Sequence, residues 1–426
     1  MRRRLFLWSA WPLSVVAAIT VAHAAFDTYV SIDHPAIQYY KAPVDDPVYR
    51  LGKKIEAGEV KLQYSANGLA WLPSLLKALE INPDSQMLVF SKTSFQASRI
   101  GPRFPRALFF NDTVAVGSVQ NGEVFELISQ DPNLGTNFYT LDISNSSKPV
   151  FDRRDVCLQC HMGPATTGVP GILTSTVFPS TDGTPAFKEG QVAIDQRTPI
   201  SERWGGWYVT GLAGGQQHRG NSIAPDPTRA GLLDLRNSLN VTNLDKRFDT
   251  SRYLSPGSDI VALMTYEHQT HMTNLITRIG WDTRIAEHDG KLKTEAGRAI
   301  LQQEIEEMVV YMLYANEAKI REPIEGSSSF SKTFPQRGPQ DSKGRSLRDF
   351  DLKTRLFRYP LSYLIYDEPF EALPAYARGR IYQRLYEVLS GKDKSKEFSR
   401  LSVEDRKAVL EIVRETKKNL PEYFRN

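Results

Sequence analysis

The two cysteines of this 426-residue chain lie three positions apart and are followed directly by a histidine, in the run Cys-Leu-Gln-Cys-His at residues 157–161. The thiols of Cys157 and Cys160 can each form a thioether bond to one vinyl group of the same porphyrin. His161 is then carried under the ring, where a nitrogen of its imidazole can bind the iron. The pattern therefore predicts covalent attachment of one haem c, with His161 as the proximal ligand.

Other uses of a cysteine pair are weighed against this interpretation. A structural zinc site needs four thiolate or imidazole ligands, and the chain has no second cysteine pair to complete one. A redox dithiol would sit at the start of a helix after a strand and would not need His161. A plain disulfide can form in an oxidising compartment. Haem attachment is favoured, and the disulfide and the redox dithiol remain the alternatives.

The first 24 residues have the composition of a secretory signal peptide. Residues 2–4 are three arginines, residues 5–21 are mostly apolar, and residues 22–24 (Ala-His-Ala) form a small-x-small cleavage signal. A membrane anchor is the alternative, but the apolar stretch is short and contains Pro12. We expect cleavage after Ala24 and a periplasmic or secreted protein.

Charge and length exclude several classes of function. The formal net charge of +4 falls to +1 without the signal peptide, because that segment holds three arginines and no acidic residue. No basic patch remains to bind nucleic acid, and no later stretch approaches the length of a membrane span. A carrier of one haem can be built in roughly 100 residues, and only one Cys-x-x-Cys-His run is present. Two-haem peroxidases need two such runs, so any catalysis would depend on the single haem.

The patterns predict an α+β fold with three regions after the signal peptide. Proline at the first helical position predicts a short helix that begins at Asp46-Pro47, and Asn121-Gly122 between two apolar runs predicts a hairpin. The middle region is irregular and glycine-rich and holds the haem motif, whereas the last region is mainly helical. The predicted segments are 1–24 (signal peptide), 25–150 (mixed helices and strands), 151–290 (haem-binding, cytochrome c-like) and 291–426 (mainly helical).

The helical part of the chain is predicted to begin with a long helix. Ser258 is a plausible N-cap for a helix to about residue 279, and residues 293–320 predict a second helix. Residues 325–345 lack periodicity and predict a loop or linker. Ser402 and Asp405 have the spacing of a capping box for the final helix.

The first long helix offers candidates for the opposite side of the iron. Met264, His268, His271 and Leu275 share one helical face. Met264 or His268 could supply a sixth ligand, or His268 and Glu267 could act as a distal acid/base pair. The alternative is a buried amphipathic helix whose histidines are satisfied by hydrogen bonds.

His218 is the third candidate for the sixth ligand. It lies in the polar, glycine-rich run at residues 214–221, and such loops commonly carry ligands. The neighbouring Arg219 could pair with a haem propionate. The alternative is an exposed loop histidine beside a solvated arginine.

Around the motif the chain resembles c-type cytochromes, and Cys157, Cys160 and His161 match their two attachment cysteines and proximal histidine. Wider runs are similar to large bacterial cytochrome c domain proteins, most of them uncharacterised; these runs are residues 158–171, 203–221, 259–269 and 359–365. Small soluble cytochromes differ, because their motif follows a long helix and precedes a loop that supplies methionine. Here strands are predicted before the motif and no methionine occurs between Met162 and Met264, which argues against His/Met ligation.

The sequence thus predicts a periplasmic monohaem c-type cytochrome that transfers electrons to or from a redox partner protein. A second histidine is the favoured sixth ligand. A peroxidase-like or oxidase-like enzyme with an open distal site, shaped by His218 or by Glu267 and His268, is the second hypothesis. The third is a sensing or binding module in which the haem is structural or binds a small molecule.

Overall fold

A computed structural model describes residues 29–65, 68–144 and 147–425. The predicted signal peptide, residues 1–24, lies outside the described residues. A large antiparallel sheet and several helices confirm the α+β prediction. Among the described helices, none combines the length and the apolar character needed to cross a bilayer.

The strands form one large sheet and two small ones. In chain order they are β1 (Met87–Val89), β2 (Arg106–Phe110), β3 (Val114–Ser118), β4 (Val124–Asp131), β5 (Gly135–Asp142), β6 (Phe151–Arg153), β7 (Ser175–Thr176), β8 (Val192–Ala193), β9 (Trp207–Tyr208), β10 (Gly211–Leu212) and β11 (Glu325–Gly326). The seven-stranded sheet has the order β6-β5-β4-β3-β2-β1-β9, and each neighbouring pair is antiparallel. β7 pairs with β8, and β10 pairs with β11.

The helices lie at both ends of the chain and between the strands. In chain order they are α1 (Pro47–Glu56), α2 (Leu72–Ala78), α3 (Leu158–His161), α4 (Ile260–His288), α5 (Glu295–Met312), α6 (Phe330–Thr333), α7 (Glu368–Glu371), α8 (Ala375–Leu389) and α9 (Val403–Thr416). The predicted start of α1 is confirmed, since the Asp46 carboxylate accepts hydrogen bonds from the amides of Val48 and Tyr49. The capping box of Ser402 and Asp405 is confirmed at the start of α9.

The start of α4 differs by one residue from the prediction. Asp259, not Ser258, is the N-cap, and its carboxylate accepts from the amides of Val261 and Ala262. The Ser258 hydroxyl donates instead to the carbonyl of Tyr208, and it accepts from the amide of Leu88. The Asp259 side chain therefore caps the helix, and the Ser258 side chain bonds to the backbone of the sheet.

The two faces of the large sheet pack against different parts of the chain. Side chains alternate between faces along a strand, so Phe125 and Leu127 join the core under α1 and α2. Phe110 and Ala115, on the other face, join the core around α4, α5, α8 and α9. α4 is buried along most of its length because the sheet covers one side of it and the C-terminal helices another.

The sheet continues past the predicted boundary at residue 150. β6 and β9 both belong to the segment predicted as haem-binding, yet they form the two edges of the sheet built by the N-terminal segment. The haem motif follows β6 directly. The motif is therefore positioned by the edge of the sheet.

Candidate functional site

The haem motif lies on a short helical turn directly after β6. A 3-10 turn at Asp155–Cys157 continues into α3, so Cys157, Cys160 and His161 lie within one continuous helical stretch. Both cysteines are free; Cys157 is half-buried and Cys160 is exposed. Burial raises the pKa of the Cys157 thiol, and the nearby Glu126 carboxylate adds to this effect. Two unpaired thiols on one turn are compatible with two thioether bonds.

The His161 ring is held by one hydrogen bond and one ring contact. Its Nδ1 lies 3.1 Å from the carbonyl oxygen of Gly171, and its ring centroid lies 4.9 Å from that of Phe138 on β5. Burial lowers the pKa of His161, which favours the neutral imidazole. A carbonyl can only accept, so Nδ1 carries the proton and the lone pair is on Nε2.

This tautomer is the one that a metal-binding histidine needs. Such a histidine donates its other ring N–H to a carbonyl or carboxylate, which fixes the ring and leaves the second nitrogen for the metal. Within the described part of the chain, the Nδ1 contact is the one hydrogen bond of the His161 ring, so Nε2 has no hydrogen-bond partner. The residues present therefore fit haem c, with Cys157 and Cys160 as the attachment points and His161 as the iron ligand.

The loop after the motif is fixed to the middle of α4 by Asn274. The Asn274 side chain accepts from the amide of Ile172 at 2.9 Å and donates to its carbonyl at 2.7 Å. A Cβ atom on Gly171 would lie 2.3 Å from Asn274 Oδ1, so only glycine allows this approach. Asn274 thereby holds the carbonyl that orients His161, a role that the sequence analysis missed because nothing local indicates it.

His268 is a fully hydrogen-bonded core histidine. Its Nδ1 donates to Gln196 Oε1 at 2.6 Å, and its Nε2 accepts from the hydroxyl of Ser362 at 2.7 Å. Its ring stacks on those of Tyr311 and Tyr314. Burial lowers its pKa to about 3. Iron binding by His268 would require the loss of one of these two hydrogen bonds, so the structure favours the alternative of a satisfied core residue.

Met264 and His218 are also buried. Met264 lies in the core around α4. His218 is not the exposed loop residue of the alternative: it is 2% exposed, and its ring packs 5.2 Å from that of Trp204. Burial lowers the pKa of His218 to about 4, so the ring is neutral near pH 7. Arg219 lies over the ring of Phe178 at 4.8 Å.

Glu267 forms a buried ion pair with Arg203, which the sequence analysis did not single out. Arg203 Nη1 lies 2.8 Å from Glu267 Oε2, and the two side chains are 2% and 0% exposed. Burial raises the pKa of Glu267 to about 7, although the Arg203 charge opposes this shift. Arg203 also donates to the carbonyls of Gln196 and Thr198. Gln196 thus joins Glu267 and His268 in one buried network.

The candidates fall into two groups. Glu267, His268 and His218 are linked through Arg203, Gln196 and Trp204, on the side of α4 that faces α5 and the chain segment before β9. His161 contacts Phe138 and Gly171. Across the described ranges, no hydrogen bond, ion pair or ring contact connects His161 with His218, His268 or Glu267. The identity of a sixth ligand therefore stays a prediction.

Replacing His268 with glutamine should change how stability depends on pH. The pKa of His268 is about 3 in the folded chain and near 6.5 when unfolded, so between these values only the unfolded chain binds the proton. The folded state of the wild type then loses stability as pH falls, and the variant lacks this contribution. We expect the stability difference between the two proteins to change by up to about 1.4 kcal/mol per pH unit between pH 6 and 4. Urea unfolding at several pH values measures it; parallel curves would contradict the assignment.

Comparison of the chain with models of protein families, with curated proteins and with solved structures gives no match. No relative therefore supplies an activity that could be transferred to this chain. The function has to be argued from Cys157, Cys160, His161 and the residues that hold them.

Proposed function

We propose that this chain is a periplasmic monohaem c-type cytochrome that transfers electrons. The observation that carries the proposal is the hydrogen bond from His161 Nδ1 to the Gly171 carbonyl, next to two free thiols on the same helical turn. A structural histidine or a redox dithiol would not require a ring nitrogen that is left without a partner. Haem iron supplies one-electron chemistry when it is bound in such a site.

Different residues of the chain would hold different parts of the haem. Cys157 and Cys160 would supply the covalent attachment, and His161 would supply a nitrogen ligand for the iron. Phe138 and Gly171 fix the imidazole ring from two sides. Asn274 fixes the Gly171 backbone in turn, so the ligand is positioned by the core rather than by a mobile loop.

The position of the motif at the protein surface supports electron exchange with a partner protein. Cys160 is exposed, and Val156, just before the motif, is an exposed apolar side chain. An exposed attachment site allows a redox partner to approach the porphyrin edge. We propose a soluble or membrane-bound electron donor or acceptor as that partner.

A single-haem oxidoreductase with an open distal site is the second candidate. Both ring nitrogens of His268 are hydrogen-bonded, so this residue cannot act as a sixth ligand without rearrangement. This favours an open distal site. The buried Glu267 and Trp204 side chains, which share a hydrogen bond, add polar groups of the kind an active site uses. Trp204 also has a φ of 69°, which bulky residues rarely adopt.

Visible spectroscopy of the ferric and ferrous protein separates the two candidates. In an electron carrier with two protein ligands, the iron should be six-coordinate and low-spin. Its spectrum should not change when cyanide or carbon monoxide is added. An enzyme or a gas-binding module should show a five-coordinate iron or a ligand that these molecules displace. A protein without any haem spectrum would contradict both.

A further inference from the structure

One face of the large sheet is incompletely covered beside the haem motif. On β2 and β4, every second side chain is buried under α1 and α2, whereas the side chains between them remain half-exposed. Antiparallel register places the members of this second set next to one another. We call this surface the open face; it consists of the partly buried Arg106, Leu108, Glu126 and Ile128, together with the buried Gly117 and Phe138 between and beside them.

The open face adjoins the haem motif through Phe138. The His161 ring packs against Phe138, which is directly opposite Ile128 on the neighbouring strand. The motif and the open face therefore lie on the same side of the sheet.

The centre of the open face has no side chain. Gly117 pairs with Leu108 on one side and with Glu126 on the other. A Cβ atom at Gly117 would approach Leu108 Cδ2 to 3.3 Å, closer than an ordinary packing distance. The Leu108 side chain therefore already covers this position, and a larger residue at 117 would have to displace it.

Arg106 has unused hydrogen-bonding capacity at the edge of the open face. Its Nη1 donates to Glu126 Oε2 at 2.8 Å, and the two side chains are 16% and 17% exposed. Its Nε is buried and has no partner in the described part of the chain. Glu126 is held from the other side by Ser94 and Gln96. A guanidinium has five N–H donors and matches a carboxylate in geometry, so Arg106 can bind a further carboxylate.

We infer that the open face receives the porphyrin and that Arg106 binds one of its propionates. This inference rests on the proposed haem attachment at Cys157 and Cys160 and deepens that site. Leu108 and Ile128 supply apolar contact to the ring, and Glu126 holds the guanidinium of Arg106 in place. Arg106 is a positioning and charge-compensating residue, because it acts on the propionate and not on the iron.

The reduction potential of the haem tests the inference. Replacing Arg106 with glutamine removes a positive charge beside the haem, which favours the ferric state, so the potential should shift downward. Arg236→Gln is the matched control, because Arg236 is an exposed arginine paired with Asp234 and its loss changes the net charge equally. Its potential should equal that of the wild type. Glu126→Gln should shift the potential upward.

A second pair of variants keeps the test independent of the Arg106–Glu126 pair. Leu108→Glu places a negative charge on the open face at a half-exposed position, and it should lower the potential. Leu212→Glu, at an exposed leucine on β10, should leave the potential unchanged.

Covalent haem content, measured in every variant by extraction with acidified organic solvent, separates the two proposals. The inference on the open face is wrong if the variants carry covalent haem but Arg106→Gln has the same potential as Arg236→Gln. It is also wrong if Leu108→Glu has the same potential as Leu212→Glu. Either result would leave the cytochrome proposal intact. A wild-type protein without covalent haem would overturn both.

Discussion

Replacing Glu267 with glutamine is expected to lower the free energy of unfolding by about 3 kcal/mol. Arg203 and Glu267 are both buried and lie 2.8 Å apart, so the glutamine would leave the guanidinium without a counter-charge in the core. Because the pKa of Glu267 is about 7, the comparison is made at pH 8, where the carboxylate is mostly ionised. Urea unfolding of the two proteins measures the difference.

Two further variants show whether the loss comes from the buried pair. Glu56→Gln removes a carboxylate from an exposed pair with Lys53 on α1, and it should leave the free energy of unfolding almost unchanged. The double variant Arg203→Met, Glu267→Gln removes both charges, and it should recover part of the stability lost in the single variant. A single variant as stable as Glu56→Gln would contradict the buried ion pair.

Replacing His161 with alanine is expected to remove the axial ligand while the thioether bonds remain. The haem should then stay with the polypeptide during acidic extraction, but its spectrum should change from that of the wild type to that of an iron lacking its proximal nitrogen. Added imidazole should restore much of the original spectrum, because it can replace the deleted side chain.

The control for this variant is His288→Ala. His288 is half-exposed at the end of α4, where it contacts His34 and Asp289, and its loss should leave the haem spectrum unchanged. A wild-type spectrum in His161→Ala would show that another residue is the proximal ligand.

Local rules in the sequence predicted much of the fold. Asp46 before Pro47 predicted the start of α1, and Asn121-Gly122 predicted the turn between β3 and β4. These features depend on neighbours a few residues away, which the sequence shows directly. Other pairings are long-range: the Gly206 carbonyl, just before β9, accepts from the amides of Phe90 and Ser91 in the loop after β1.

The end of α4 depends on packing that is distant in sequence. The predicted helix stopped near residue 279, whereas α4 continues through Gly280 to His288. Gly280 packs against Leu373, which lies just before α8, and a Cβ atom would sit 3.4 Å from that side chain. A glycine that suggests a helix end locally is tolerated here because the C-terminal part of the chain covers it.

The candidate site shows the same difference between features that depend on sequence neighbours and features that depend on distant residues. The motif residues Cys157, Cys160 and His161 were predicted because their spacing is local. The hydrogen-bond partners of His268 are Gln196 and Ser362, at separations of 72 and 94 residues, and no pattern within the helix could identify them. Long-range pairing is set by the tertiary fold, and a single sequence shows it only as isolated polar residues in apolar surroundings.

The arrangement around the motif follows from similar long-range contacts. Asn274 lies 102 residues from Ile172, and Arg106 and Glu126 reach the motif through the register of the sheet. From the sequence, Arg219 could pair with a propionate, with a solvated arginine as the alternative, because it lies next to the candidate ligand His218. The structure places Arg219 over Phe178 and places Arg106 on the face that adjoins His161.

Extraction of the purified mature protein with acidified organic solvent tests whether haem is attached covalently. We expect the colour to stay with the polypeptide and the protein mass to exceed the chain mass by one haem, and we expect neither result when Cys157 and Cys160 are replaced by alanine. Colour that leaves with the solvent, or a protein that never contained haem when produced with a functional haem-attachment system, would contradict covalent attachment at these cysteines.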